Sequence, residues 1–189
     1  GFARVYLDEK WGYIDKTGKQ VVSIKYDWAD LFSEGLVKVG LARKYGFVDK
    51  TGKEVISLKY DDADSFSEGL ARVGLDGKRG FVDKTGKEVI PFKYGFADSF
   101  SEGLAAVELD DKHGYIDKNG IEVIPFKYDW ALSFSEGLAA VELDGKWGFI
   151  DNTGKVVIPF KYDHAYPFSE GFAEVLLDWR EGRVDKNGT

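Results

Sequence analysis

One spacing constrains this chain more than any other feature. Glycine falls at 12, 46, 80, 114, 148 and 182, a step of 34 residues without insertion. Aspartate keeps the step at 15, 49, 83, 117, 151 and 185, and Phe-Ser-Glu-Gly begins at 32, 66, 100, 134 and 168. A period of this length marks serial supersecondary units, each of which completes its core by stacking on its neighbours. It divides a single repeat domain, 1–189, into units 1–34, 35–68, 69–102, 103–136 and 137–170, with a partial copy at 171–189.

The unit at 137–170 shows the local structure the spacing predicts. In its first segment Ala139, Val141 and Leu143 alternate with Ala140 and Glu142, the period-2 pattern of a strand. Asp144-Gly145-Lys146 reads as a turn and Trp147–Asp151 as a second strand. Asn152-Thr153-Gly154 reads as a hairpin turn whose glycine supplies a positive φ. The third strand, 155–162, should place Ile158, Phe160 and Tyr162 on one face. Proline at 91, 125 and 159 cannot donate to a ladder, so this strand lies at a sheet edge or leaves the sheet there. The segments are short, rich in β-branched and aromatic residues, and broken by glycine, so a helix-pair repeat of similar length is excluded.

The expected fold is therefore all-β: tandem three-stranded antiparallel units in an open, elongated or superhelical array. A closed propeller-like ring is the alternative. Both ends carry the same two-strand portion, which duplicates and does not complement, and this favours the open array. In the last copy Glu181 and Arg183 replace aromatic residues, as a polar cap would.

Composition narrows the function classes. There is no cysteine, hence no disulfide framework, thiolate nucleophile or Cys-based metal site. Net charge is −7 and lysines recur singly beside acidic residues, which disfavours nucleic acid and anionic membrane surfaces. No apolar run approaches the length of a membrane-spanning helix, so no membrane insertion is expected. The chain opens on Gly1 and has no methionine, so it is read as processed or as an excerpt. Its compartment, cytoplasmic or exported, stays open.

The Trp-Gly pairs at Trp11–Gly12 and Trp147–Gly148, the Ile-Asp-Asn-Thr-Gly-Lys and Val-Ile-Pro-Phe-Lys-Tyr-Asp stretches, and Phe-Ser-Glu-Gly-Leu resemble the bacterial WG (KWG) repeat family. The resemblance covers the whole chain. It implies a β-rich tandem scaffold for interaction, often attached to other domains, with no enzymatic activity and no cofactor.

The usual catalytic patterns are absent. His113 and His164 occupy unrelated positions of the unit, and no Gly-x-Ser-x-Gly elbow occurs. The repeated serines Ser33, Ser67, Ser101, Ser135 and Ser169 are read as turn residues capping their own backbone. The aspartates of the 15-to-185 series are read as Asx caps of the following turn and not as metal ligands. The acidic run 60–69 lacks the spacing of a Ca²⁺ loop. Gly46–Lys53 mimics a phosphate-binding loop but has five residues between its glycines and joins two strands.

Surface recognition remains. Two positions vary while their surroundings stay fixed: Trp11, Tyr45, Arg79, His113 and Trp147 at one, and Trp28, Asp62, Phe96, Trp130 and His164 at the other. Their tolerance of charge suggests partial exposure, and such side chains make interface anchors or sugar platforms. The expected binding residues are Trp11, Trp28, Tyr45, Arg79, Phe96, His113, Trp130, Trp147 and His164. The expected partner of this non-enzymatic, monomeric scaffold is a protein or peptide. A glycan-binding module using exposed tryptophan and a purely structural spacer are the alternatives.

Overall fold

A computed structural model describes all 189 residues. The chain is all-β, with 22 strands and no helix. The strands form six small antiparallel sheets, none closed into a barrel. They span residues 2–26 (sheet 1), 28–60 (sheet 2), 62–94 (sheet 3), 96–128 (sheet 4), 130–162 (sheet 5) and 164–185 (sheet 6). Packing groups them into two compact units, Gly1–Phe92 and Lys93–Thr189.

The three expected strands are present in sheet 5 as Leu138–Leu143, Lys146–Asp151 and Val156–Tyr162. A fourth was not expected. Trp130–Ala131 pairs with the first long strand, Trp130 opposite Glu142 and Ala131 opposite Val141. Sheets 2, 3 and 4 are four-stranded in the same way. Each of sheets 2 to 6 thus begins in the tail of the preceding sequence unit, a segment that sequence alone presents only as a connection. The proline-bearing strands Glu88–Tyr94, Glu122–Tyr128 and Val156–Tyr162 lie at the edges of their sheets, as the missing N–H requires.

The units do not have one apolar face each; both faces of the first long strand are covered. In the second compact unit Ala139, Val141 and Ile150 pack with Tyr115, Ile124 and Tyr128 of sheet 4. Ala140, Trp147, Phe149 and Ile158 pack with Val175 and Val184 of sheet 6. In the first compact unit Val37, Val39 and Val48 meet Tyr13 and Tyr26, while Phe47, Ile56 and Tyr60 meet Ala71, Val73 and Val82. Each fully buried aromatic or branched side chain contributes about 1.5–3 kcal/mol, which small sheets with two covered faces collect twice.

The periodic glycine of the second strand answers to a bulge. Trp147 pairs with Tyr162 but Phe149 pairs with Ile158, so two extra residues of the third strand cross over Gly148. A Cβ at Gly148 would lie 2.8 Å from the Ile158 carbonyl oxygen, and one at Gly46 would lie 2.5 Å from that of Ile56. At Gly182, where no third strand follows in the sheet, a Cβ would meet nothing. The bulge also breaks the expected face. Ile158 and Tyr162 enter the core shared with sheet 6, whereas Phe160 packs on the core shared with sheet 4.

Polar repeats fasten the frame. Asp151 Oδ1 accepts from the Thr153 N–H (2.9 Å), the Thr153 hydroxyl (2.6 Å) and the Lys155 N–H (3.1 Å), the expected Asx cap. Ser-Glu-Gly-Leu is a two-residue hairpin of type I′, with φ near 54° at Glu136 and 86° at Gly137. Its serine does not cap its own backbone. Ser135 donates to the Phe168 carbonyl oxygen (2.7 Å), Ser101 to that of Phe134 (2.7 Å) and Ser33 to that of Phe66 (2.6 Å). Glu136 accepts from the Gly171 N–H (3.0 Å), and Glu34 from that of Gly69 (3.1 Å). These bonds, 33 and 35 residues apart, pin one turn to the next.

Candidate functional site

The two variable positions lie in one cross-strand row of each sheet. Trp130 faces Glu142, which faces Trp147. Phe96 faces Glu108, which faces His113. In sheets 2 and 3 the middle member is glycine: Trp28–Gly40–Tyr45 and Asp62–Gly74–Arg79. Residues far apart in sequence thus become neighbours on one surface, at the spacing where side chains interact.

In the first compact unit the row carries its own cations. The Arg4 guanidinium lies 4.6 Å from the Trp11 ring centroid and donates to the Ala29 carbonyl oxygen (3.0 Å). Trp11 also packs on Tyr6, 4.7 Å between centroids. Lys38 Nζ lies 6.0 Å from the Tyr45 ring, 3.4 Å from Asp30 Oδ2 and 3.1 Å from the Ala63 carbonyl oxygen. Arg72, one repeat on, is held by Asp64 through Nε (2.6 Å) and a terminal nitrogen (2.7 Å), and by Asp62 (2.6 Å). Burial would lower the Arg72 pKa, but the hydrogen bonds it donates to Asp64 and Asp62, with their charges, outweigh it and raise it. The acidic run 60–69 therefore serves an internal arginine. Trp28 is 49% exposed beside Gly40. Arg79 reaches the Gly77 carbonyl oxygen (3.3 Å).

In the second compact unit the cation positions are Ala106, Ala140 and Glu174, and aromatic groups collect. Phe96, His113 and Trp130 form a cluster with centroids 4.8–5.7 Å apart. Trp147 packs on His164 (4.9 Å), and His164 on Tyr166 (4.8 Å). Trp130, Leu132, Glu142, Trp147, His164, Tyr166 and Pro167 line an open concavity of about 600 Å³. Trp130 is 41% exposed and Tyr166 is 49% exposed.

Two expectations about exposure fail here. Trp147 is only 5% exposed and His113 only 2%. The position tolerates charge in other repeats because its neighbours change with it, not because it faces water throughout. Neither ring nitrogen of His113 makes a hydrogen bond of good geometry, the Asp129 backbone offering only a weak one. Burial lowers its pKa below the ordinary 6.5, opposed by the charges of Glu108, Asp98 and Asp129.

The repeated acids are committed to structure. Asp15, Asp49, Asp83 and Asp151 are held below the usual carboxylate range by the side-chain hydrogen bond of the threonine two residues on. Asp27, Asp61, Asp129 and Asp163 are lowered by a lysine hydrogen bond, from Lys10, Lys44, Lys112 and Lys146 respectively. Each also caps the next hairpin turn, as Asp129 does the Asp144 N–H (2.8 Å) and Asp163 the Trp179 N–H (2.9 Å).

The structure brings Phe96, His113 and Trp130 together, and Trp130, Trp147 and His164 together. Trp28 joins Tyr45 through Gly40, while Trp11 has Tyr6 and Arg4 as neighbours. Glu142, Leu132 and Tyr166 line the concavity without having been expected there. The period held a signal for them: Tyr166 stands where Asp30, Asp64 and Asp98 stand, and Glu142 where Gly40 and Gly74 stand.

Among solved structures the chain is similar to Hsv2p of Kluyveromyces lactis, at 11% identity and TM-score 0.60, over 97% of this chain and 70% of that one. It is similar to a eukaryotic initiation factor at 13% identity and TM-score 0.66, over 98% and 60%. It also matches the extracellular domain of the putative one component system BT4673 from B. thetaiotaomicron, at 14% identity and TM-score 0.54, over 100% and 32%. The first two are β-propeller-like repeat proteins, and the likeness is one of fold. No curated protein matches the sequence. The pattern of the WG containing repeat matches residues 11–42, 45–78, 80–112, 114–147 and 147–178. With five tandem matches along nearly its whole length, the chain belongs to the WG-containing repeat family.

Proposed function

We propose that this chain is a non-enzymatic β-repeat scaffold whose aromatic row in sheets 4 to 6 binds a protein or peptide. The observation that carries this reading is the concavity in which exposed Trp130 and Tyr166 stand over Leu132, Trp147 and His164. Exposed aromatic anchors around an apolar floor are what an interface hot spot requires. The repeated aspartates, serines and glutamates support a role without turnover, because their hydrogen bonds hold turns. The charge of −7 favours partners other than nucleic acid.

Selection of a displayed peptide library on the purified chain tests this reading. The expected result is an enriched set that loses binding to Trp130→Ala and Tyr166→Ala. Enrichment indifferent to both substitutions would move the function elsewhere, and turnover by the chain alone would overturn it. A second reading, a glycan platform, is favoured by Trp130 and Glu142 standing opposite each other in the ladder and lining one concavity, which offers a stacking face and a hydrogen-bond acceptor. A Trp130-dependent fluorescence change with oligosaccharides, without peptide binding, would put it first.

A further inference from the structure

The two compact units carry the same row, and the first displays what the second lacks. In the first, Arg4 covers Trp11 at 4.6 Å and Lys38 lies 6.0 Å from the Tyr45 ring. Each cation also donates to a backbone carbonyl 25 residues downstream, on Ala29 and Ala63. The row therefore has a built-in chemistry: an aromatic ring, a carbonyl oxygen and a cationic side chain between them.

Repeat equivalence carries this arrangement to sheets 5 and 6. Trp147 stands for Tyr45, Ala165 for Ala63, and Ala140 for Lys38. The cation is gone, and Leu132 stands where Asp30 paired with it. The open concavity lies beside this place: Leu132 and Trp147 line it with His164 and Tyr166, while Ala140 and Ala165 are buried in the core next to it. A carboxylate has been added as well, since Glu142 replaces Gly40 between Trp130 and Trp147. Glu142 is the only acidic or basic residue apart from His164 in the lining, so the site is aromatic with one negative charge. Aromatic faces around a single carboxylate favour a cation, because ring quadrupole and charge attract it together.

We propose, building on the peptide-binding reading above, that this concavity takes an arginine or lysine side chain of a basic peptide partner. The side chain lies against Trp130 and Tyr166 and is counter-charged by Glu142. The incoming residue supplies from outside what Lys38 supplies from within.

The test uses the whole chain and four peptides, acetyl-Gly-Ser-X-Ser-Gly-amide, with X arginine, lysine, citrulline or norleucine, titrated by calorimetry. Citrulline keeps the shape of arginine without its charge. The arginine and lysine peptides should bind about tenfold more tightly than their neutral counterparts. Glu142→Gln and Trp130→Ala should remove that margin, whereas Trp28→Ala, in the first compact unit, should leave it. Equal binding of arginine and citrulline peptides, or a margin that survives Glu142→Gln, overturns the cation site while leaving the peptide scaffold in place. If none of the four binds while library-selected peptides do, the cation site alone falls. If no peptide of either kind binds, both readings fall. Arginine amide binding as tightly as the arginine peptide would overturn the assignment to a peptide.

Discussion

The two compact units of this molecule use one backbone frame and two different side-chain solutions. In sheets 1 to 3 the row beside the short strand is charged and self-satisfied: Arg4, Lys38 and Arg72 reach rings, carbonyls and the carboxylates of Asp30, Asp62 and Asp64. In sheets 4 to 6 the same positions hold alanine or glutamate, the row fills with aromatics, and a concavity opens. The frame is set by glycine, turn aspartate and buried tyrosine, which do not change. The variable row is therefore separable from the folding frame in this chain, position by position.

The strongest way to break that comparison is to attack what the halves share. Gly46→Ala and Gly148→Ala should each destabilise by about 3 kcal/mol, because the new Cβ meets the carbonyl of the bulged strand. Gly182→Ala should be near neutral, since nothing lies within reach of its Cβ. Urea denaturation of the three variants makes the comparison, and equal effects at all three sites would remove the bulge as the reason for the glycine.

The next effect belongs to the charged half. Arg72→Met should cost about 2 kcal/mol in urea denaturation, leaving Asp62 and Asp64 facing each other, while Arg72→Ala combined with Asp62→Ala and Asp64→Leu should recover most of it. A smaller effect distinguishes the aromatic half. His113 is buried with its pKa lowered, so below about pH 6.5 the unfolded chain binds the proton first. Its contribution is present above that pH and is lost as pH falls toward the folded value. His113→Phe should flatten this slope between pH 7.5 and 5 without changing stability much at pH 7.5, as chemical denaturation at both values would show.

The smallest effect lies in the hairpins. Ala42 and Arg43 hold φ of 50° and 62° where Asp144 and Gly145 hold 52° and 75°. Arg43→Gly should stabilise the first half by up to about 1 kcal/mol, read as a rise in denaturation midpoint. Gly145→Arg should lower it by a similar amount.

Much of this was legible before any coordinates. The period shows as plain repetition, and the three long strands, the edge placement of proline and the Asx turns follow from local rules, because each involves residues a few positions apart. The short fourth strand was not legible: two residues carry no pattern, and Trp130–Ala131 becomes a strand only by pairing with Glu142 and Val141. The role of Ser135 escaped because its acceptor is 33 residues away. Phe160 departs from the face that strict alternation gives it because a bulge resets alternation. Trp147 and His113 are buried although arginine stands at the same position in another repeat, because arginine at one copy does not imply solvent contact at every copy. Burial at that position depends on the neighbours each repeat supplies, so Arg79 can reach a turn carbonyl while Trp147 sinks into a core. Of the residues that line the concavity, the aromatic row is visible in the sequence; Glu142 and Tyr166 stand in positions that look like background.

The offset between sequence units and sheets has a consequence for how such a chain can change length. Because each of sheets 2 to 6 borrows its first strand from the preceding unit, the structural seam falls near residues 27, 61, 95, 129 and 163, not at the sequence boundaries. Yet removal of any 34 consecutive residues rejoins equivalent positions, so the borrowed strand always finds a lender. Recombination between copies can begin anywhere in the period and still return a complete sheet. An array of this kind lengthens or shortens in whole sheets wherever the crossover occurs.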